Sequence, residues 1–345
     1  MTTSFPILKL PFPALKTAFS CLNIFQLLEL SFVSSKTRYA IRLTTPRNMM
    51  NFQAAFLESE RQEICIYPTT DKFFIYHECD CKLNWDYMRS KSGYLGKWKE
   101  FEEMSSQNER GRIPGVPMWA DYLCKVFNCE LSSIIIELES HKGSIIFVLN
   151  WVNSRQSSLK NAHLSGYNIS DDELFFIYEN LKITDWLLLM ATASATVEGP
   201  IKPKIRPSQF KLGSCPDITY LHIDDVIALN SVHFDLLRVS LTENDMNKYL
   251  KLWIAGGNPR LKYFKVYAKL FNIDLLLEGI QTETRNASLD HTYDHPSFYF
   301  PTSVAGGITI RGKDGKTATF TLEREDPYGL NDNRWWPKFE MIVWD

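Results

Sequence analysis

The sequence predicts an α/β fold in three parts: a small three-helix segment at the N-terminus, a run of strand–helix units, and an antiparallel β cap at the C-terminus. Three observations carry that prediction. Between Leu237 and Val266, strand-like alternation gives way to a helical stripe and then to strand again. Residues 170–189 repeat the order. Residues 306–345 change to period-2 alternation around a turn.

In the first of these stretches Leu237, Val239 and Leu241 alternate with Arg238 and Ser240, which predicts a strand with one buried face. Thr242, three residues ahead of Asp245, is an acidic form of the capping box. Met246, Tyr249, Leu250, Trp253 and Ile254 then make an apolar helical stripe that Gly256-Gly257-Asn258-Pro259 ends. Leu261, Phe264 and Val266 read as the next strand. In the earlier copy, Ser170 to Glu173 is a full capping box, and Leu174, Ile177, Tyr178 and Leu181 share one face before the strand Leu187-Leu188-Leu189. Further strands are expected at Ile134–Ile136, near residue 163 and over Ile218–Ile223, with a helix over Ile145–Val152. Strand–helix units that bury their apolar faces against neighbours suggest an irregular leucine-rich-repeat-like solenoid. An ordinary α/β domain with parallel strands fits the same spacing.

Composition narrows the class. With 345 residues, 45% hydrophobic and 23% charged, the chain is globular. A net charge of −2 gives no electrostatic reason to expect nucleic acid or a membrane surface. Seven irregularly spaced cysteines point to a reducing, intracellular compartment. No apolar run reaches the ~20 residues that span a bilayer. Asn23, Gln26 and Glu29 interrupt the apolar stretch Phe19–Val33, so it does not read as a targeting segment.

The N-terminal segment holds three helical patterns. Pro11 or Pro13 suits a first turn, followed by the stripe Phe12, Leu15, Ala18, Phe19 and Leu22. Asn23 with Gln26 caps a helix over Ile24–Val33, which is apolar around almost its whole circumference. A helix of that kind must be buried on all sides. Two neighbouring helices cannot cover it, so a protein partner is expected on the open side.

Two stretches also resemble known modules. Residues 5–11, through Leu10-Pro11, and the spacing of Leu15, Phe19, Phe25, Leu28 and Leu30 resemble an F-box. Leu241 to Asp245, Leu252-Trp253-Ile254 and Gly257 to Leu261 resemble the type 2 F-box-associated domain, a module of nematode F-box proteins. The resemblance implies residues 1–45 as F-box and about 210–275 as the associated domain, and the patterning divides the rest into 46–117 as hairpin linker and surface loop, 118–280 as the strand–helix region, and 281–345 as loop and β cap. It implies docking to a Skp-type adaptor, and through it to a cullin ubiquitin ligase. Leu10, Pro11, Leu15, Phe19, Phe25, Leu27, Leu28 and Leu30 would supply the F-box core and adaptor surface, a division that sequence does not make. The outward strand positions Tyr220, His222, Arg238, Ser240, Tyr263, Lys265 and Tyr267 are candidates for a target surface, or a merely solvated sheet face.

Chemistry is sparse by comparison. Lys91–Gly115 and Gly199–Pro207 read as loops, and Ile64–Tyr67 with Phe73–Tyr76 as a hairpin. His291 and His295 are spaced as helical zinc ligands, but Pro296 follows His295 and disfavours helix there. His77, Cys79 and Cys81 lack a second ligand pair, and read as one side of a strand. His222, Asp224 and Asp225 stand without a nucleophile elbow or phosphate loop. Cys21 and Cys129 lie on apolar patterns and are expected to be buried. The expectation is a non-catalytic adaptor with no cofactor or metal. The alternatives are a stand-alone interaction scaffold and a hydrolase of unrecognised type.

Overall fold

The computed structural model describes residues 7–47, 50–56, 61–68, 73–78, 115–138, 143–193, 199–213, 220–269, 272–293, 302–325 and 336–344. Their contacts divide into two compact units, Met1–Ser140 and His141–Asp345. The loop read over Lys91–Gly115 lies outside the described residues up to 114, as do Cys79 and Cys81.

The first unit begins with a 3₁₀ turn, Ile7–Lys9, and helix α1 (Phe12–Ser20), with Pro13 in a first turn where a missing N–H costs nothing. Helix α2 spans Ile24–Val33. The Asn23 side chain accepts a hydrogen bond from Gln26 N, and Gln26 Oε1 accepts one from Asn23 N, both at 2.9 Å. The Ser34 hydroxyl caps α3 (Ser35–Thr44) by accepting from Thr37 N. Strands β1 (Met50–Phe56), β2 (Arg61–Pro68) and β3 (Phe73–Glu78) run antiparallel, with Ile64 opposite Ile75 as the hairpin reading requires. Alternating Phe52, Ala54 and Phe56 mark β1, a strand not anticipated above. Helix α4 (Gly115–Val126) leads to β4 (Leu131–Glu137), which pairs in parallel with β1. Cys129 is buried, but Cys21 is exposed at the end of α1, because no described element covers that corner.

The second unit holds α5 (Ser144–Arg155), β5 (Leu159–Ile169), α6 (Asp171–Asn180), β6 (Ile183–Ala193), β7 (Gln209–Leu212), α7 (Ile223–Leu229), β8 (His233–Val239), α8 (Glu243–Ile254), β9 (Tyr263–Ala268) and α9 (Ile273–Leu276). Antiparallel strands β10 (Glu283–Tyr293), β11 (Thr302–Arg311), β12 (Thr317–Glu325) and β13 (Trp336–Trp344) complete it. Its strands lie in the order β5-β6-β7-β8-β9-β13-β12-β11-β10. The first five are parallel and neighbour one another in chain order, whereas β13 pairs antiparallel with β9. The fold is thus a helical N-terminal segment, then a mixed α/β sheet with antiparallel C-terminal strands.

Right-handed crossovers between adjacent parallel strands put their connections on one face of the sheet. Between β6 and β7 the described part of that connection, residues 199–208, is irregular, as read. Lys204 N donates to the α6 carbonyl of Tyr178, and Lys202 N donates to Asp225 of α7 at 2.7 Å. Of the strand expected at Ile218–Ile223, residues 218 and 219 lie outside the described residues, and residues 220–223 do not form strand. Leu221 and Ile223 are buried, but they lead into α7, where Asp225 folds back to accept from His222 N at 3.0 Å. The strand of this unit is β7, only four residues long and ending six residues before Ile218, in parallel register with β8.

Both capping boxes are present. Glu173 accepts from Ser170 N at 3.1 Å, and its other oxygen accepts from Gly143 N at 2.7 Å, tying the start of α6 to that of α5. Thr242 and Asp245 close α8 in the same way. The helix-side core is a ladder of rings: Phe210, Phe234 and Phe264 face one another across β7, β8 and β9. Ring centroids stand 6.2 Å and 5.4 Å apart, and Tyr249 of α8 meets Phe264 at 4.7 Å.

The alternation assigned to Leu237, Val239 and Leu241 needs correcting. The buried row of β8 is Phe234 and Leu236, and the pairing with β9 slips between Leu236 and Val239. Arg238 takes positive φ (55°) at this bulge, which returns Val239 to the buried face and leaves Leu237 half-buried on the other.

Candidate functional sites: the helical surface and the open sheet face

The three N-terminal helices divide the eight expected docking residues. Leu15, Phe19, Leu27 and Leu28 are buried, Leu10 and Leu30 are half-buried, and Pro11 is exposed. The side chain of Phe25 lies outside the described residues. The greasy circumference of α2 is thus largely satisfied within the unit. Phe32 stacks on Tyr122 of α4 at 5.2 Å and meets Trp119 edge-on at 6.3 Å. The Ser31 hydroxyl bonds Tyr122 Oη at 2.7 Å, and Arg38 lies over the same ring. Part of the side of α2 expected to be bare is therefore covered by α4 at Ser31 and Phe32.

Apolar side chains do face water here, at other positions. Leu8 of the 3₁₀ turn and Phe12 at the start of α1 are exposed, Phe12 by 52%, with exposed Pro11 between them. Val33 ends α2 at 62% exposure, and Tyr39 and Leu43 lie one turn apart on α3 at 61% and 52%. Five exposed large apolar side chains thus lie within residues 8–43. Sequence periodicity missed them because it tells apolar from polar, not covered from bare.

In the second unit, the sheet face opposite the ring ladder carries the residues that alternate with it. Lys211, Asp235, Lys265 and Glu340 stand side by side across β7, β8, β9 and β13. Asp235 takes both lysines, at 3.4 Å and 3.3 Å, and Lys338 reaches Glu340 at 3.2 Å and Glu323 at 3.4 Å. The charges alternate and neutralise one another. Above them Tyr263 donates to Glu340 at 2.6 Å.

Part of this face is covered by its own chain. Tyr293 of β10 stacks on Tyr263 at 5.8 Å and hydrogen-bonds His233 Nε2 at 2.5 Å. Yet β10 stands four strands from β9, about 19 Å across a flat sheet at the usual spacing. The β10–β11 ribbon bends to make the contact. Pairing along β10 shifts between Arg285 and Asp290, and Gly306 and Gly307 of β11 both take positive φ. A Cβ at Gly307 would stand 2.6 Å from the Phe320 carbonyl oxygen, so only glycine fits. Burial in this contact pushes the Tyr293 hydroxyl up to about 12 and Tyr263 higher still, the Glu340 carboxylate adding to the latter. A group whose pKa is raised on folding stabilises the fold below its unfolded pKa, and that contribution is lost as pH rises through its folded value. Stability should fall between about pH 10 and 12, and Tyr293→Phe should flatten the fall in urea midpoints measured across that range.

Of the seven expected target-surface residues, Tyr263 and Tyr267 lie on this face but are buried, and Lys265 is half-buried. Ser240 is exposed beyond β8. Tyr220 is buried, donating to the Ala191 carbonyl at 3.0 Å. Arg238 is buried at the bulge, its guanidinium over the Trp336 ring. His222 precedes α7, where Asp225 is held by backbone donors and its carboxyl is pushed up by burial. The three tyrosines and Arg238 are therefore not outward-facing: the folded-over ribbon covers Tyr263, Arg238 turns inward at the bulge, Tyr220 is held against β6, and Tyr267 is buried on β9. What stays open are the β5–β7 positions: Tyr167 and Met190 are exposed, with His163, Trp186 and Lys211 half-buried alongside. His163 and Trp186 rings meet edge-to-face at 6.4 Å.

Among the described residues, no three His, Cys, Asp or Glu side chains come together as a metal site, and no helix is long and apolar enough to cross a membrane. His291 belongs to strand β10, while Asp294 and His295 lie outside the described residues.

Comparison with known families matches residues 7–46, the segment of α1 to α3, to the F-box domain. Residues 208–266, from β7 into β9, match the family described as F-box associated. No curated protein and no solved structure matches the chain. The chain carries an F-box domain together with an F-box-associated domain.

Proposed function

We propose that this chain is the target-recognition subunit of a Skp–cullin–F-box ubiquitin ligase. The observation that supports this best is the set of bare apolar side chains, Leu8, Phe12, Val33, Tyr39 and Leu43, on the segment that matches the F-box. A Skp-type adaptor would cover them, while Leu15, Phe19, Leu27 and Leu28 hold the helices together beneath. The second unit would carry the target protein, and we read its parallel strands as turns of an irregular solenoid. Tyr167, Trp186, Met190 and His163 form the accessible part of its open face. Aromatic and methionine side chains suit a binding surface, and the mutually neutralised charges beside them suit a protein rather than a polyanion. The subunit itself does no bond chemistry and acts by bringing the target near the ligase, in an intracellular setting.

The test is co-purification of the full chain with a Skp-type adaptor and cullin. A stoichiometric complex is expected, and ubiquitinated proteins should accumulate on the chain when the proteasome is blocked. A chain that binds proteins but never an adaptor is a scaffold instead.

A further inference from the structure

A concave site lies in the second unit, where the last turn of α8 meets β10 and β11. The cavity, about 650 Å³, falls in the range of sites that hold small ligands or short peptide segments. Ile254, Ile280 and Ile310 give it apolar walls, and Lys251 and Arg311 place two cations around it. Among the described residues Lys251 makes no ion pair, and Arg311 has only Glu283 at 4.0 Å, both mostly in water. An exposed pair of that length is worth little, so the guanidinium is available to another anion. A lysine in a helix's last turn also suits the helix dipole. That effect explains neither Arg311 on a separate strand nor the isoleucine-walled hollow between the two.

We propose that this cavity binds a short anionic peptide segment of the target, one acidic or phosphorylated side chain between Lys251 and Arg311 with an aliphatic neighbour against the isoleucines. This rests on the reading of the second unit as the target-binding part. The excess of positive charge over Glu283 selects an anion, and the apolar walls select a peptide over a free ion.

The test uses the full chain bound to a Skp-type adaptor and three fluorescein-labelled dodecapeptides in anisotropy titrations. One alternates glutamate with leucine, one carries phosphoserine for glutamate, and one carries lysine. Anionic peptides should bind at least tenfold tighter than the lysine peptide. Lys251→Glu and Arg311→Glu, both exposed, should each weaken binding at least tenfold without moving the Tm. Binding of the phosphoserine peptide alone assigns the site to phosphorylated targets, and binding of both anionic peptides to acidic ones. Equal binding of the lysine peptide, indifference to both substitutions, or no peptide binding by a chain that still holds the adaptor overturns the proposal. Loss of adaptor capture with peptide binding intact would instead count against the ligase reading alone.

Discussion

A Leu8→Asp, Phe12→Asp chain should lose its Skp-type adaptor while remaining folded. Both side chains already face water, so replacing them leaves no cavity and should shift folding stability by no more than about 0.5 kcal/mol. In a complex the same two positions would lie beneath the partner. Truncating a buried interface anchor typically costs 2 kcal/mol or more, about a thirtyfold loss of affinity. A carboxylate left unpaired there should cost more. Calorimetric titration with the adaptor, alongside a thermal melt, checks both halves of the expectation. Leu28→Asp would be a poor substitute for this pair. Leu28 is fully buried, so its loss of binding would report unfolding.

Phe264→Ala should be the most damaging single truncation in the second unit. The ring is fully buried on β9, central to the sheet, and touches Tyr249, Phe234 and Phe339, at 4.7, 5.4 and 6.1 Å. Phenylalanine-to-alanine changes in packed cores cost about 3–5 kcal/mol through lost transfer energy plus a residual cavity. That is a large share of an ordinary domain's stability. Urea unfolding should show the midpoint falling steeply. Met190→Ala, at an exposed position on the other face, should stay within about 0.5 kcal/mol. A loss under 1 kcal/mol at Phe264 would mean that the ring ladder does not hold this unit together.

Local signals in the sequence were sound where one residue's chemistry decides the outcome. Helix α2 runs over Ile24–Val33 as read, with both halves of the Asn23–Gln26 box formed. The boxes at Ser170 and Thr242 open helices at their expected places, and Met246, Tyr249, Leu250 and Trp253 are all buried. The C-terminal alternation forms antiparallel β11, β12 and β13, with Ile310 opposite Ala318 across the Asp314-Gly315 turn. The F-box match over residues 7–46 and the F-box-associated match over 208–266 include the motifs that carried the resemblance.

Long-range events were invisible from spacing. The cover on α2 comes from Tyr122, 91 residues from its partner Ser31, and no local pattern announces it. Strand β7 is four residues long, too short for a period to show, and its neighbour Leu221–Ile223 is apolar because it is buried beside a helix start. The bulge at Arg238 reverses which side chains face inward with one inserted residue. The ribbon that lays Tyr293 over Tyr263 depends on Gly306 and Gly307, whose role shows only once β11 lies against β12. Arg238 and Tyr263 are buried rather than outward for these last two reasons.

Hydrogen exchange on the full chain, with and without a Skp-type adaptor, bears most directly on the central claim. Slowed exchange should appear over residues 7–15 and 33–44, around Leu8, Phe12, Val33, Tyr39 and Leu43, with the β5–β9 strands unchanged. Unaltered exchange across residues 7–46 at saturating adaptor would contradict the account.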